Sequence, residues 1–398
     1  MRCDIKKYII SLLGLFFFFW IIWLLKDDNY VDYKVNRVNN NLLTMNLEQT
    51  AGKGDYKEVK DSSWPSEDYV FNSKLSRCEN GGELSWDDAK KQVIFESSQS
   101  DKCYVYFDKL ILLVNYVINQ YSGVQGENGL YHHDGTLENG IDDGSYRYAG
   151  ANPNNFVCFG SNASTCPDDN LYRIIGVIGN SVKLIKAYFA NTNLLGTDGA
   201  YGNDGIFESN NTGYKGNLSE IDKYNWNSDT NTNVWSESNL NTINLNTNYI
   251  NNIGDVWANK INTKEWYVGG NSYANIVLQK PATSYENEIL FPVGFATYYA
   301  KIGLMYVSDY AFATNSDQWS DTLYMMRLSS SWLYMGVDEW TITPSTDTTD
   351  FMFIIYHDSL VEQYGYLDVI AVRPVFFLNY EVNYVSGTGT QLDPIRIK

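Results

Sequence analysis

Positive charge is scarce in this sequence. Its 398 residues carry 29 Lys plus Arg against 47 Asp plus Glu, a net charge of −18. Nucleic-acid binding needs a basic face that displaces counterions, and none is visible in the sequence, so the acidic balance argues against a nucleic-acid partner. Charged residues of both signs make up only 19% while aromatics reach 15%, which excludes wholesale disorder. Histidine is limited to His132, His133 and His357, and cysteine stops at five, none after Cys166. The material for acid–base, thiol and metal chemistry is thin, so a binding role without catalysis is expected. Tyrosine, by contrast, is abundant at 32 residues beside 11 Trp and 18 Phe, and Asn fills about a tenth of the chain. An AT-rich genome produces this bias, and so does a surface built for adaptable contacts, as in antibody paratopes.

One long apolar run stands out. Tyr8 to Leu25 holds no charge and includes four consecutive phenylalanines. As a helix it would span about 27 Å, close to the hydrocarbon thickness of a bilayer. Arg2, Lys6 and Lys7 precede it, and Asp27 and Asp28 follow Lys26. The positive-inside rule therefore puts the N-terminus in the cytosol and the rest outside. A cleaved signal peptide is the competitor, but Trp23-Leu24-Leu25 lacks the small residues of a cleavage site. An uncleaved transmembrane signal-anchor over residues 1–28 is expected, in contact with the lipid bilayer through residues 8–25 and leaving an extracellular C-terminal domain.

The cysteines agree with this topology. Cys3 falls on the reducing side. Cys78, Cys103, Cys158 and Cys166 allow three connectivities, and sequence proximity favours Cys78 with Cys103 and Cys158 with Cys166. Zinc is the rival, but no C-x-x-C occurs and no histidine sits at ligand spacing. Disulfides suit an oxidising exterior.

Further along, residues 29–63 read as a polar stalk, with Leu42 to Leu47 as an optional strand. Residues 64–109 read as a small β module of short strands: Tyr69–Phe71, Glu83–Trp86, Gln92–Glu96 and Lys102–Phe107. Leu110, Leu113, Val114, Val117, Ile118 and Tyr121 recur at helical spacing and predict a core-facing helix over 110–121. A long polar loop follows to Asp169. Leu171–Ile178 and Val182–Phe189 flank Gly179-Asn180-Ser181 as a hairpin. A second helical stretch runs from Asn239 to Ile261. Strands return at 301–306, 332–335, 339–342, 351–356, 372–378 and 395–397. The expected class is α+β, an antiparallel sheet with two helices, spanning residues 110–398.

The hairpin Leu171-Tyr172-Arg173-Ile174-Ile175-Gly176-Val177, the segment Trp235-Ser236-Glu237-Ser238-Asn239-Leu240-Asn241, and Ile302-Gly303-Leu304-Met305-Tyr306 come in that order. Trp332-Leu333-Tyr334-Met335-Gly336 and Ala371-Val372-Arg373-Pro374-Val375-Phe376-Phe377-Leu378 close the series. This order resembles an uncharacterised domain family of cell-surface and prophage-encoded proteins in Gram-positive gut bacteria. The closing strands are similar to the C-type-lectin-like fold in its formylglycine-generating-enzyme branch. The resemblance covers about residues 168–398, and the segment from Leu47 to Phe107 looks like a companion module of such surface proteins. It implies a C-type-lectin-like binding domain whose ligand face includes residues 332–368. The enzymatic branch's late cysteine pair is missing, as is the sugar-binding branch's Pro loop. Trp226-Asn227-Ser228 only echoes its calcium strand. The resemblance therefore implies neither that branch's oxygenase activity nor calcium-dependent sugar binding.

The expected ligand-binding residues are Trp332, Tyr334, Asp338, Glu339, Trp340, Tyr356, His357, Tyr364 and Tyr366, since flat aromatic faces stack on sugars or anchor proteins. Sheet core is the plainer expectation for Trp332 and Trp340. Asp338 with Glu339 is a possible carboxylate pair for glycoside hydrolysis, the enzymatic alternative. His132-His133 with Asp142 and Asp143 is a weaker metal candidate. Thr197 to Gly205 has the alternating oxygens of a calcium loop but lacks a closing Glu. Arg373 reads as a buried ion-pair partner. The function expected is recognition of an extracellular glycan or protein ligand, with a purely structural envelope or prophage-encoded role as the remaining alternative.

Overall fold

A computed structural model describes residues 42–398, apart from 60–64, 67, 97–99, 203–220, 230–231, 295 and 327–329. The apolar run 8–25 lies outside the described residues, and no described helix is long and apolar enough to cross a membrane. The chain divides after Lys109 into two compact units.

In the first unit, β1 (Leu42–Glu48) runs parallel to β7 (Lys102–Lys109), with Leu42 opposite Lys102 and Leu47 opposite Phe107. Strand β2 (Tyr56–Glu58) flanks β1, while β3 (Tyr69–Phe71) and β4 (Arg77–Cys78) pair with β7. Strands β5 (Glu83–Asp87) and β6 (Gln92–Glu96) form a hairpin. Cys103, Val105 and Phe107 alternate inward along β7, the period of a half-buried strand. Val105 and Phe107 meet Met45, Leu47 and Val93 in a small core. Residues 42–58 thus belong to this sheet and not to a stalk, because Met45 and Leu47 bury one face of β1. Cys78 and Cys103 face each other across β4 and β7 and are disulfide-bonded.

In the second unit, β8 (Ile111–Leu112), β9 (Leu130–His133), β10 (Ser145–Tyr148), β11 (Phe156–Cys158), β12 (Leu171–Ile178) and β13 (Ser181–Lys186) come first. Then follow β14 (Lys264–Tyr267), β15 (Thr297–Ala300), β16 (Ile302–Gly303), β17 (Glu339–Pro344), β18 (Phe351–Ile355), β19 (Val361–Gly365), β20 (Val375–Phe377), β21 (Asn383–Ser386) and β22 (Arg396–Ile397). The main sheet has the order β16-β20-β13-β12-β10-β9, with β11 also on β12. At the bulge in β12, a side chain on Gly176 would strike the Tyr146 carbonyl at 2.2 Å, so glycine is required there. A second sheet, β17-β18-β19, carries Glu339, Trp340 and Tyr364 of the expected binding strip, and the other residues of the strip lie in the segments flanking its strands. The second disulfide joins Cys158 to Cys166.

Strand outweighs helix, 32% against 19%. That corrects the expected α+β class of an antiparallel sheet carrying two helices, while the expected transmembrane helix lies outside the described residues. Helix α1 is only Leu113–Ile118, because Ile111 and Leu112 are extended to pair with Tyr384 and Asn383. The stretch from Asn239 begins as α2 (Leu240–Tyr249) with wide π turns, and Gly254 at φ 78° breaks its continuation. Helices α3 (Pro281–Tyr285) and α4 (Val307–Phe312) are short and pack on each other. Residues 332–335 form turns closed by the Tyr334 N–H on the Ser331 carbonyl, not a strand.

Asparagine does much of the work that regular structure leaves undone. From α2, Asn244 donates to the Leu195 and Asp198 carbonyls while accepting from the Ala200 N–H. Asn246 donates to the Ile302 carbonyl and accepts from its N–H. Asn233 donates to the carbonyls of Ser345, Thr348 and Phe351. Buried backbone groups need partners, and these amides supply them where loops run through the interior.

Candidate functional site

Four residues of the expected strip are core. Trp332 is 4% exposed, donates its indole N–H to the Tyr148 carbonyl at 2.8 Å, and stacks beneath the Arg173 guanidinium. Trp340 is fully buried, donates to the Tyr224 carbonyl at 2.8 Å and packs edge-on to Trp226. Glu339 is held at both carboxylate oxygens by Arg373, each contact 2.7 Å. Asp338 is also buried and accepts from the His357 backbone N–H at 2.7 Å, with the His357 Nδ1 at 2.9 Å. Alternation put Asp338 and Glu339 on opposite faces of a strand, and they do diverge. The correction is that β17 is covered on both sides, so neither face meets solvent.

The other five remain half-exposed, and four of them touch. The Tyr334 hydroxyl donates to the His357 carbonyl at 2.6 Å. The Tyr356 ring lies 3.9 Å from the His357 imidazole and 6.0 Å from the Tyr364 ring. Tyr364 sits on β19, an edge strand that pairs on one side with β18. Tyr366 lies just beyond β19, where its carbonyl accepts from Trp226 and Asn227. The result is a band of aromatic faces around the half-exposed His357 imidazole, which rests on the buried Asp338 carboxylate.

The two adjacent histidines separate. His132 is half-buried, stacks on Tyr146 at 4.3 Å, and pairs with Asp134 at 3.0 Å. His133 is fully buried against Phe312 and Trp319. Burial and the nearby Arg147 charge push it down to about 3, so it stays neutral. They do not converge on a metal. In the run from Thr197, the Asp198 carboxylate accepts from Asn248, and positions 203–205 lie outside the described residues. Among the described residues the one cluster close enough for a metal is Cys78, Asp101 and Cys103, whose cysteines are disulfide-bonded.

Sequence reasoning missed a buried ionic network in the second unit. Lys183 of β13 and Asp309 of α4 are 1% and 2% exposed and in direct contact. Arg147 of β10 reaches Asp309 at 3.4 Å and Asp143 at 3.3 Å, and the Tyr285 hydroxyl donates to Asp143 at 2.8 Å. Glu288, also fully buried, accepts from the Val307 and Ser308 N–H groups and the Thr343 hydroxyl. Burial raises its carboxyl to about 7. The signal was present as Lys183 between Val182 and Leu184, a charge in an otherwise apolar strand. Its partner, 126 positions away, carried no local cue.

No family model, curated protein or solved structure matches the chain. The functional reading therefore rests on this geometry.

Proposed function

We propose that the chain is an extracellular binding protein, brought to the membrane by its apolar run 8–25. In this reading it recognises a glycan or protein ligand through Tyr334, Tyr356, His357, Tyr364 and Tyr366. The observation that carries the reading is the cluster of half-exposed rings packed around His357 at the β19 edge. Tyrosine gives large contact area at small entropic cost, and its faces suit sugar rings or a partner's anchor residues. The buried Asp338 holds the imidazole in one orientation, so the band is organised before a ligand arrives. Recognition is favoured over glycoside hydrolysis because Glu339 is engaged by Arg373 at both oxygens. The acidic balance directs the surface away from nucleic acid.

The test is binding of the full chain to glycan and cell-surface protein arrays, compared with Tyr356→Ala and Tyr364→Ala. A loss of about tenfold or more, the scale of an aromatic hot spot, is expected for each. Binding that neither substitution weakens would sink this assignment. Polysaccharide turnover by the wild type would move the protein to the enzymes, and silence in every assay would leave a structural envelope role.

A further inference from the structure

We propose that the side chains of Lys183 and Asp309 are joined in the mature protein by an intramolecular isopeptide bond. The two lie on different elements, β13 and α4, 126 positions apart in sequence. Nζ of Lys183 rests directly on Oδ2 of Asp309, and both side chains are almost wholly removed from solvent. Aromatic faces line the amine, with the rings of Tyr306, Phe377 and Trp266 centred 4.6, 5.5 and 5.8 Å from Nζ.

A dry aromatic enclosure is costly for an ion pair and favourable for the neutral pair. One proton crossing the existing hydrogen bond converts ammonium and carboxylate to amine and carboxylic acid. Burial pushes the Lys183 ammonium below its ordinary range, which helps that transfer. The amine lone pair then attacks Cγ of Asp309, forming the C–N bond and placing negative charge on Oδ1. Arg147 stands there, with Nη1 3.4 Å from Oδ1, so a fixed cation meets the developing oxyanion. A proton leaves Nζ and reaches Oδ2, the Cγ–Oδ2 bond breaks, and Oδ2 departs as water. Ammonium plus carboxylate becomes amide plus water, with no net change in charge and no oxidant or cofactor.

Glu288 is suited to carry the proton. Its carboxylate accepts from Val307 and Ser308, while Oδ2 of Asp309 accepts from Tyr306, so both acids converge on one turn. Its carboxyl exchanges protons near neutrality because burial raises it to about 7. The product would tie the central hairpin to α4 and close the long loop between them, constraining the unfolded chain as a disulfide does.

The test is the intact mass of the purified full chain after reduction of its two disulfides. The wild type should be lighter than its sequence by one water, and proteolysis should release a branched peptide joining Lys183 to Asp309. Lys183→Met should sit at full sequence mass. Asp309→Asn, which would expel ammonia, should converge on the mass of the wild-type product. Glu288→Gln should leave most chains unlinked, and full linkage in that variant would overturn the proton-carrying role. A wild type at full sequence mass, or a water loss that persists in Lys183→Met, would overturn the bond itself. The wild-type measurement decides the matter even where a variant folds poorly.

Discussion

Arg373 grips Glu339 through Nε and Nη2, each 2.7 Å from a different carboxylate oxygen, with both side chains about 98–99% buried. The pair ties β17 to the segment entering β20, and Arg373 also donates to the Leu333 carbonyl at 2.7 Å. A charge pair this deep is stabilising only as a pair. Burial holds the Glu339 carboxyl above its ordinary range, and the Arg373 charge offsets only part of that rise.

Removing one member should therefore be severe. Glu339→Gln is expected to cost about 3–5 kcal/mol, the scale of an orphaned buried charge. Replacing both, as Glu339→Met with Arg373→Met, should cost less than the single change. Urea unfolding midpoints of the three variants check this, and a double variant worse than Glu339→Gln would refute it.

Trp340 should behave as core and not as a ligand contact. Trp340→Ala is expected to lose about 3–5 kcal/mol through the cavity it leaves. Any loss of ligand binding should track the unfolded fraction. Tyr364→Ala should show the reverse pattern, weak binding with a nearly unchanged midpoint. Calorimetry of the two variants beside the array measurement separates them.

Two buried groups should tilt stability with pH in opposite directions. Glu288 has its folded value raised from 4.5 to about 7 by burial, so the folded state binds its proton first and stability falls as pH rises through that window. His133 is lowered from 6.5 to about 3, so the unfolded chain binds its proton first and stability falls as pH drops below 6.5. Each slope is at most about 1.4 kcal/mol per pH unit. Glu288→Gln should steepen the decline from pH 6.5 to 4.5, and His133→Phe should flatten or reverse it. Midpoints measured across pH 3 to 8 decide the signs.

The Cys78–Cys103 disulfide closes a loop of 25 positions in a unit whose core is five residues. Chain entropy assigns such a loop about 3 kcal/mol, a large share for so small a core. Reductant should unfold the first unit at a lower temperature than the second, whose core is far larger. Scanning calorimetry with and without reductant should resolve two transitions, and a single unshifted transition would count against this.

Much of the local structure was legible. Tyr69–Phe71, Gln92–Glu96 and Leu171–Ile178 are strands with the expected bounds, because alternation and β-branched content are local signals. The cysteine pairs nearest in sequence are the bonded ones. Strand β19, Val-Glu-Gln-Tyr-Gly, was missed because its apolar content is low and its partner β18 supplies the hydrogen bonds. The helix over 110–121 was overextended because its first turn gives up helical pairing for β21. The binding strip rests on residue type; sheet core is the plainer expectation for Trp332 and Trp340 and both are buried, whereas Asp338 and Glu339 are buried against expectation.

The sequence by itself determined the acidic balance, the apolar run and the β-rich hairpins, and it favoured the cysteine pairing that the structure shows. These depend on composition or on neighbours within a few residues. Tertiary structure alone decided that Asn serves the backbone, since Asn244 acts on carbonyls 46 and 49 positions away. It alone decided that Lys183 meets Asp309 in the interior. Burial and long-range pairing are properties of the assembled sheet, and no stretch of neighbouring residues encodes them.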